Sequence, residues 1–107
     1  MGELERITVM VDQDLEDILP GYLKNRHKDL VAIPKALKEG DFNLIRTLGH
    51  RMKGSGSGYG FARISEIGEN LEEAAKNSES ERVATLNSEL ELYLDSVDIV
   101  FEPRFGS

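Results

Sequence analysis

The chain has 107 residues, 39% of them hydrophobic, so it can form one domain with its own core but not two. The absence of cysteine excludes disulfides and zinc–thiolate sites, and a net charge of −7 argues against broad nucleic-acid binding. No apolar run approaches the ~20 residues of a membrane helix and the acidic start is unlike a signal peptide, so we expect a cytoplasmic protein without membrane contact.

The N-terminal segment is predicted to be extended, with a short helix after it. Residues 7–11 are β-branched and apolar, but no second strand-like segment is evident that could pair with them. We therefore interpret residues 1–11 as an extended lead-in. From Asp12 onward the apolar residues recur at spacings of three and four, which is the period of a helix. Ahead of Pro20, this pattern predicts a short helix containing Leu15, Ile18 and Leu19.

A long second helix is predicted over residues 20–39. Gly40 is suited to the position just after its end, and Asp41 to the N-cap of the next helix. Pro34 lacks a backbone N–H and is expected to kink this second helix. The predicted inward stripe consists of Leu23, His27, Leu30, Pro34 and Leu37, with Ile33 beside it.

Three further amphipathic helices are predicted after Gly40. One begins at Phe42, one follows Gly60, and the last is opened by a capping box formed by Ser78 and Glu81. The inward residues of the last helix are predicted to be Val83, Leu86, Leu90, Tyr93, Val97 and Val100.

These elements predict an all-α fold. The four long helices with short connections indicate an antiparallel four-helix bundle with a short extra N-terminal helix. The bundle is assigned to residues 12–101, and residues 102–107 are interpreted as a C-terminal tail.

Half of the ten glycines lie in residues 49–60. A flexible Gly–Ser linker is one interpretation, although helical patterns continue on both sides of this run. The spacing excludes a P-loop, because Lys53 precedes the glycine that it would have to follow. It also excludes a dinucleotide fingerprint, which requires G-x-G-x-x-G after a strand.

His50 is predicted to lie on the exposed face of the third helix. At about 100° per residue, it falls opposite the buried side formed by Ile45, Leu48, Met52, Gly56 and Tyr59. Gly54 lies one turn later and leaves the imidazole uncrowded, while the flanks carry Arg46, Lys53 and Ser57. A neutral imidazole is a nucleophile near neutral pH, and an incoming phosphoryl group needs access and positive charge. The pattern favours phosphoryl chemistry at His50 over an incidental surface histidine.

The second histidine, His27, is predicted to pack on or beside an apolar stripe. Lys24 and Thr47 stand three residues before the two histidines, so the Glu-x-x-His pattern of di-iron bundles is absent. With no cysteine and two histidines in the chain, no metal site is expected.

The segment from His50 to Ser55 resembles the H-x-x-K-G-[SA] motif of histidine phosphotransfer (HPt) domains in multistep phosphorelays. The likeness covers about residues 12–100, including the E-G-D turn at residues 39–41, although Gly56 and Gly58 make this segment richer in glycine than many members. The resemblance implies that His50 is the phosphorylated nucleophile, that Lys53 faces the phosphate, and that Gly54 provides clearance.

The resemblance also implies the partners. His50 would accept a phosphoryl group from the aspartyl phosphate of a receiver domain and pass it to another, within a pathway that contains a hybrid sensor histidine kinase. The domain would have no ATP-dependent kinase activity and no cofactor of its own, because the receiver supplies Mg²⁺. We expect a monomer.

The charge distribution fits a receiver partner. Residues 24–63 carry nine cations and three anions, a net of +6, so the rest of the chain carries −13. This basic segment includes Arg46 and Arg51, and it is suited to docking a carboxylate-rich receiver site. Three alternatives remain: an ordinary solvated face, a module that docks a receiver without carrying phosphate, and a purely structural bundle.

Overall fold

The part of the chain that the structure describes contains four α-helices and two β-strands. The computed structural model describes residues 6–103, so the first five residues of the predicted lead-in and the end of the predicted tail lie outside the described residues. The elements are β1 (Ile7–Asp12), α1 (Leu19–Lys38), α2 (Phe42–Ser55), α3 (Ala62–Lys76), α4 (Ser80–Ser96) and β2 (Val97–Glu102). Within residues 6–103, none of the helices has the length and apolar character that crossing a membrane requires.

The start of α2 follows the sequence prediction. Gly40 has φ +71° and lies just after α1, where a residue without Cβ adopts the left-handed region without strain. Asp41 is the N-cap, and its Oδ1 accepts a hydrogen bond of 3.1 Å from the backbone N–H of Leu44. The helix therefore begins at Phe42, as predicted.

The prediction that the N-terminal apolar segment has no partner is wrong. β1 pairs in parallel with β2, in a register that runs from Ile7 opposite Val97 to Asp12 opposite Glu102. The last helix ends at Ser96 instead of continuing through Val100. Residues 97–102 alternate between partly buried and exposed positions, and three of the six are β-branched, a pattern that suits a strand. The prediction of a continued helix depends on the three-residue spacing of Val97 and Val100 alone. The fold is mostly helical but not all-α.

The region of the predicted N-terminal helix is different as well. It contains a single 3₁₀ turn, Gln13–Leu15, in which Asp12 Oδ1 accepts a hydrogen bond of 2.9 Å from the N–H of Asp14. Leu19 already belongs to α1, and Pro20 occupies the first turn of that helix, where its missing N–H needs no partner.

The buried face of α1 is rotated from the predicted stripe. Its buried residues are Leu19, Tyr22, Arg26, Asp29, Ile33 and Ala36, whereas His27 is exposed and Leu23, Leu30 and Leu37 are only partly buried. The prediction that His27 packs on the apolar stripe is therefore wrong, whereas the alternative, a position at the edge of the stripe, agrees with the partial burial of Leu23 and Leu30. The cause is a buried ion pair: Arg26 Nε lies 2.8 Å from Asp29 Oδ2, and the Arg26 guanidinium lies 4.7 Å from the centre of the Tyr22 ring. A search for apolar periodicity alone misses these two charged residues.

Pro34 lies inside α1 without ending it. A proline cannot donate to the carbonyl four residues earlier, which here is that of Leu30. The side-chain Nδ2 of Asn87, on α4, lies 3.4 Å from that oxygen. The neighbouring helix thus supplies the donor that the proline removes.

The predicted capping box at the start of the last helix does not form. Ser78 has φ +55°, and its N–H donates to the carbonyl of Ala75 at the end of α3. The N-cap of α4 is Glu79, which makes no side-chain capping bond. Ser78 thus completes the turn after α3 and does not open α4.

Glycines bring α2 and α3 into close contact. A Cβ on Gly49 would lie 2.7 Å from the carbonyl oxygen of Gly68, and a Cβ on Gly68 would lie 2.5 Å from the backbone nitrogen of Lys53. Such contacts would force the backbones apart, so both positions require glycine. The predicted inward direction of Gly56 is confirmed, since a Cβ there would lie 2.6 Å from the nitrogen of Ser65. The first half of the glycine-rich run is therefore helix and not a flexible linker.

Candidate functional site

His50 lies on the exposed face of α2, as predicted. Its side chain is 72% exposed, whereas Ile45, Leu48 and Met52 on the opposite side are buried. The helix thus presents the imidazole to solvent and to any partner that contacts this face.

A carboxylate from α3 holds one nitrogen of the ring. Glu72 Oε2 lies 3.1 Å from Nδ1 of His50, and the Glu72 side chain is 25% exposed. An ionised carboxylate can only accept hydrogen bonds, so Nδ1 must carry the proton in this contact. In the neutral imidazole the lone pair is then on Nε2, the nitrogen that is free to act as a nucleophile.

Lys53 contacts the same carboxylate. Its Nζ lies 3.7 Å from Glu72 Oε1, while Oε2 contacts His50. Lys53 follows His50 by about one turn of α2, which places both side chains on the flank that faces α3. Glu72 therefore lies between the imidazole and the ammonium group.

Gly54 faces open space. A Cβ at this position would meet no atom within 4 Å apart from its own helix and chain neighbours. Gly54 thus differs from Gly49, the residue just before His50, where a Cβ would clash. Ser55, which follows it, is partly buried: its Oγ lies 3.1 Å from Tyr22 Oη and 2.8 Å from the carbonyl oxygen of Arg51.

The two predicted arginines lie on opposite sides of the histidine. Arg46 lines a surface groove with His50 and Glu72, and Asn43 and Thr47 complete the groove. Arg51 lies toward α1, where its charge acts on Asp29.

Ser57 does not follow the helical spacing on which its prediction rests. α2 ends at Ser55, and Ser57 lies in a separate 3₁₀ turn, Ser57–Tyr59. Its N–H donates to Ser65 Oγ at 2.8 Å, and its hydroxyl oxygen lies 3.1 Å from the same atom. In the structure Ser57 joins this turn to α3.

Sequence reasoning missed Glu72. It stands 22 residues after His50 and belongs to no local motif with it. One signal was available: Gly49 and Gly68 both interrupt helical patterns, and such glycines allow two helices to approach closely. A glutamate one turn after Gly68 then faces the residue next to Gly49.

Within residues 6–103, no three or more His, Cys, Asp or Glu side chains are grouped so that they could hold a metal ion. The site brings together an exposed imidazole, a carboxylate that accepts a hydrogen bond from it and a lysine, a set of groups suited to carrying a phosphoryl group on nitrogen.

An exposed histidine held by a carboxylate, with a lysine and an open glycine one turn along a helix, defines a candidate phosphoryl-carrier domain. The family model described as Hpt domain matches residues 11–98. The chain belongs to the Hpt domain family, which serves histidine phosphotransfer in phosphorelays and interacts with receiver domains and kinases. Searches of curated proteins and of solved structures found no significant match.

Proposed function

We propose that this protein accepts a phosphoryl group on Nε2 of His50 from the aspartyl phosphate of one receiver domain and transfers it to another receiver. The observation that carries the proposal is the contact between Glu72 and Nδ1, because it leaves Nε2 bare on an exposed ring. The family supports histidine phosphotransfer in general.

In the proposed step, the Nε2 lone pair attacks the phosphorus of the aspartyl phosphate. The bond between nitrogen and phosphorus forms, the bond between phosphorus and the aspartyl oxygen breaks, and the aspartate leaves as a carboxylate. The proton on Nδ1 stays between the ring and Glu72, whose negative charge stabilises the positive charge that develops on the imidazole. Transfer to the second receiver is the reverse of this step.

Lys53 would exchange partners during transfer. Before the reaction its Nζ is 3.7 Å from Glu72, and its side chain is half exposed. A phosphoryl group on Nε2 brings additional negative charge to the same face, and the flexible ammonium group can turn toward it. Mg²⁺ would come with the receiver.

Docking would use the face around His50. Gly54 would leave room for the receiver beside the ring, and Arg46 and Arg51 would contribute positive charge on either side. We propose a monomer that acts in the cytoplasm, with a hybrid sensor kinase and response-regulator receivers as partners.

The test is incubation with a panel of phosphorylated receivers, followed by measurement of the label on this protein. The wild type is expected to acquire an acid-labile, base-stable label, His50→Gln to acquire none, and His27→Gln to behave as the wild type. His27 is a suitable control because it is an exposed histidine on a different helix. A label that survives His50→Gln would contradict the proposal, and so would receiver binding without labelling under every Mg²⁺ and donor condition.

A further inference from the structure

Among residues 6–103, neither strand of the two-stranded sheet makes a backbone hydrogen bond to an element outside the sheet. The β1 edge of the sheet is approached by the turn at Gly60, where a Cβ would lie 3.0 Å from the carbonyl oxygen of Met10. The β1 edge thus lies close to another part of the chain, whereas in the described residues β2 makes no backbone hydrogen bond beyond β1, although its Val97 carbonyl accepts a side-chain hydrogen bond of 3.3 Å from Arg6 Nη2. We therefore take the outer edge of β2 as the edge for an added strand.

The inward face of β2 is incompletely covered. On β1, Val9 and Val11 are 8% and 1% exposed. On β2, the residues that face the core are only partly buried, and they are Val97, Ile99 and Phe101. A parallel sheet is normally covered on both faces and extended by further strands, so a third strand beside β2 would complete the burial of these residues.

The outward face of β2 has a defined charge pattern. Val100 is 44% exposed and stands opposite Met10, which is 48% exposed. Asp98 and Glu102 flank Val100 on the same face, and Asp98 is held by Arg6 through contacts of 2.7 and 3.2 Å. Within residues 6–103, Glu102 has no ion-pair partner. This face thus offers an apolar side chain between the Arg6–Asp98 ion pair and the carboxylate of Glu102.

We propose that β2 is a docking edge for an extended segment of a partner protein, in which basic and apolar residues alternate. The segment adds a third strand to the sheet, and its apolar side chains cover Val97, Ile99 and Phe101. A basic side chain of the segment faces Glu102, while Asp98 keeps its ion pair with Arg6. A second copy of the chain is a poorer occupant, because pairing β2 with itself sets the carboxylates of both copies beside one another. The edge acts independently of His50.

The test uses the full chain, labelled with ¹⁵N, and a seven-residue peptide in which lysine alternates with valine. Amide signals of residues 97–102 are expected to shift on titration, and their hydrogen exchange is expected to slow about fivefold or more at saturation. A peptide with glutamate in place of lysine, and a lysine peptide that is N-methylated at every residue, are the controls. Neither is expected to bind, because one repeats the charge of β2 and the other lacks strand donors.

Glu102→Lys supplies a matched variant, since this side chain is exposed and the change leaves the core intact. This variant is expected to bind the lysine peptide about fivefold more weakly than the wild type does, and to bind the glutamate peptide more tightly. Equal binding of the N-methylated peptide would overturn the proposal, as would shifts confined to residues outside β2. A dimer that forms through β2 without peptide would also overturn it, in favour of a second copy.

Discussion

The carboxylate of Glu72 lies 3.1 Å from Nδ1 of His50, although the two residues are on different helices. The contact depends on the close approach of α2 and α3 at Gly49 and Gly68, where no Cβ fits between the backbones. The packing of two helices thus determines which imidazole nitrogen is free, and the stability of that contact is linked to the chemistry of the site.

Glu72→Ala is expected to slow phosphoryl transfer to His50 about tenfold, because the ring loses its hydrogen-bond acceptor and the charge that stabilises the imidazolium. The measurement is the rate of labelling by a phosphorylated receiver, together with the ¹⁵N chemical shifts of the ring, which should move toward a mixture of tautomers. Glu73→Ala is the control, because Glu73 pairs with Arg82 instead. An unchanged rate and unchanged ring shifts in Glu72→Ala would contradict this role.

Gly54→Ala is expected to separate folding from function. No atom lies within 4 Å of the added methyl group, so the substitution should raise the free energy of unfolding by about 0.5–1 kcal/mol through helix propensity. It should nevertheless slow receiver-dependent labelling, because the methyl group lies on the face next to His50. Gly58→Ala adds an equally uncrowded methyl group beyond the end of α2 and serves as the control. Equal labelling rates in the two variants would show that clearance at Gly54 is not required.

The parts of the site that could be predicted from the sequence depend on local signals. The turn at Gly40 and Asp41 and the outward direction of His50 follow from residues within one or two helical turns. Glu72 and the pairing of β1 with β2 could not be predicted in this way, because they join residues 22 or more apart through packing. The α1 stripe was misplaced for a different reason: Arg26 is buried because Asp29 neutralises it, and periodicity of apolar residues does not detect paired charges.

Gly68→Ala is expected to lower the free energy of unfolding by about 2–3 kcal/mol, because its Cβ would lie 2.5 Å from a backbone atom of Lys53. Urea unfolding measures this loss. Gly21→Ala, on α1, is the control: a Cβ there has open space, and the substitution should be stabilising. If Gly68→Ala were as stable as the wild type, the close contact between α2 and α3 would not be required.

Replacing either member of the buried ion pair on α1, Arg26 and Asp29, is expected to change the free energy of unfolding by a different amount. Burial raises the pKa of Asp29 above its ordinary value of 3.8, despite the opposing charge of Arg26. Asp29→Asn leaves the buried guanidinium without its counter-charge, but it keeps an acceptor for Arg26 Nε and the cation–π contact with Tyr22, so the loss should be smaller, about 1 kcal/mol near neutral pH. Arg26→Met leaves a buried carboxylate without its partner, and should cost about 3 kcal/mol. Urea unfolding of the two variants measures the difference, and equal losses would contradict the prediction.

The raised pKa of Asp29 also predicts the direction in which the free energy of unfolding changes with pH. Folded Asp29 holds its proton more tightly than the unfolded chain does, so its contribution to stability is greatest below pH 3.8 and declines as the pH rises through the folded pKa. Relative to Asp29→Asn, the wild type should therefore lose stability as the pH rises from 3.8. Urea unfolding of both proteins across this range measures the difference, and a difference that grows in the opposite direction would contradict the assignment.

The contact between Asn87 and the carbonyl of Leu30 predicts coupling with Pro34. In the wild type, Asn87→Leu removes the donor that replaces the missing N–H of Pro34, and should cost about 1 kcal/mol because the carbonyl is left without a partner. Pro34→Ala restores the helical N–H and should raise the free energy of unfolding. In that background Asn87→Leu should be stabilising, since Asn87 Oδ1 is buried without a hydrogen bond. A double-mutant cycle by urea unfolding measures the coupling. If Asn87→Leu had the same effect in both backgrounds, Asn87 would not be the substitute donor for Pro34.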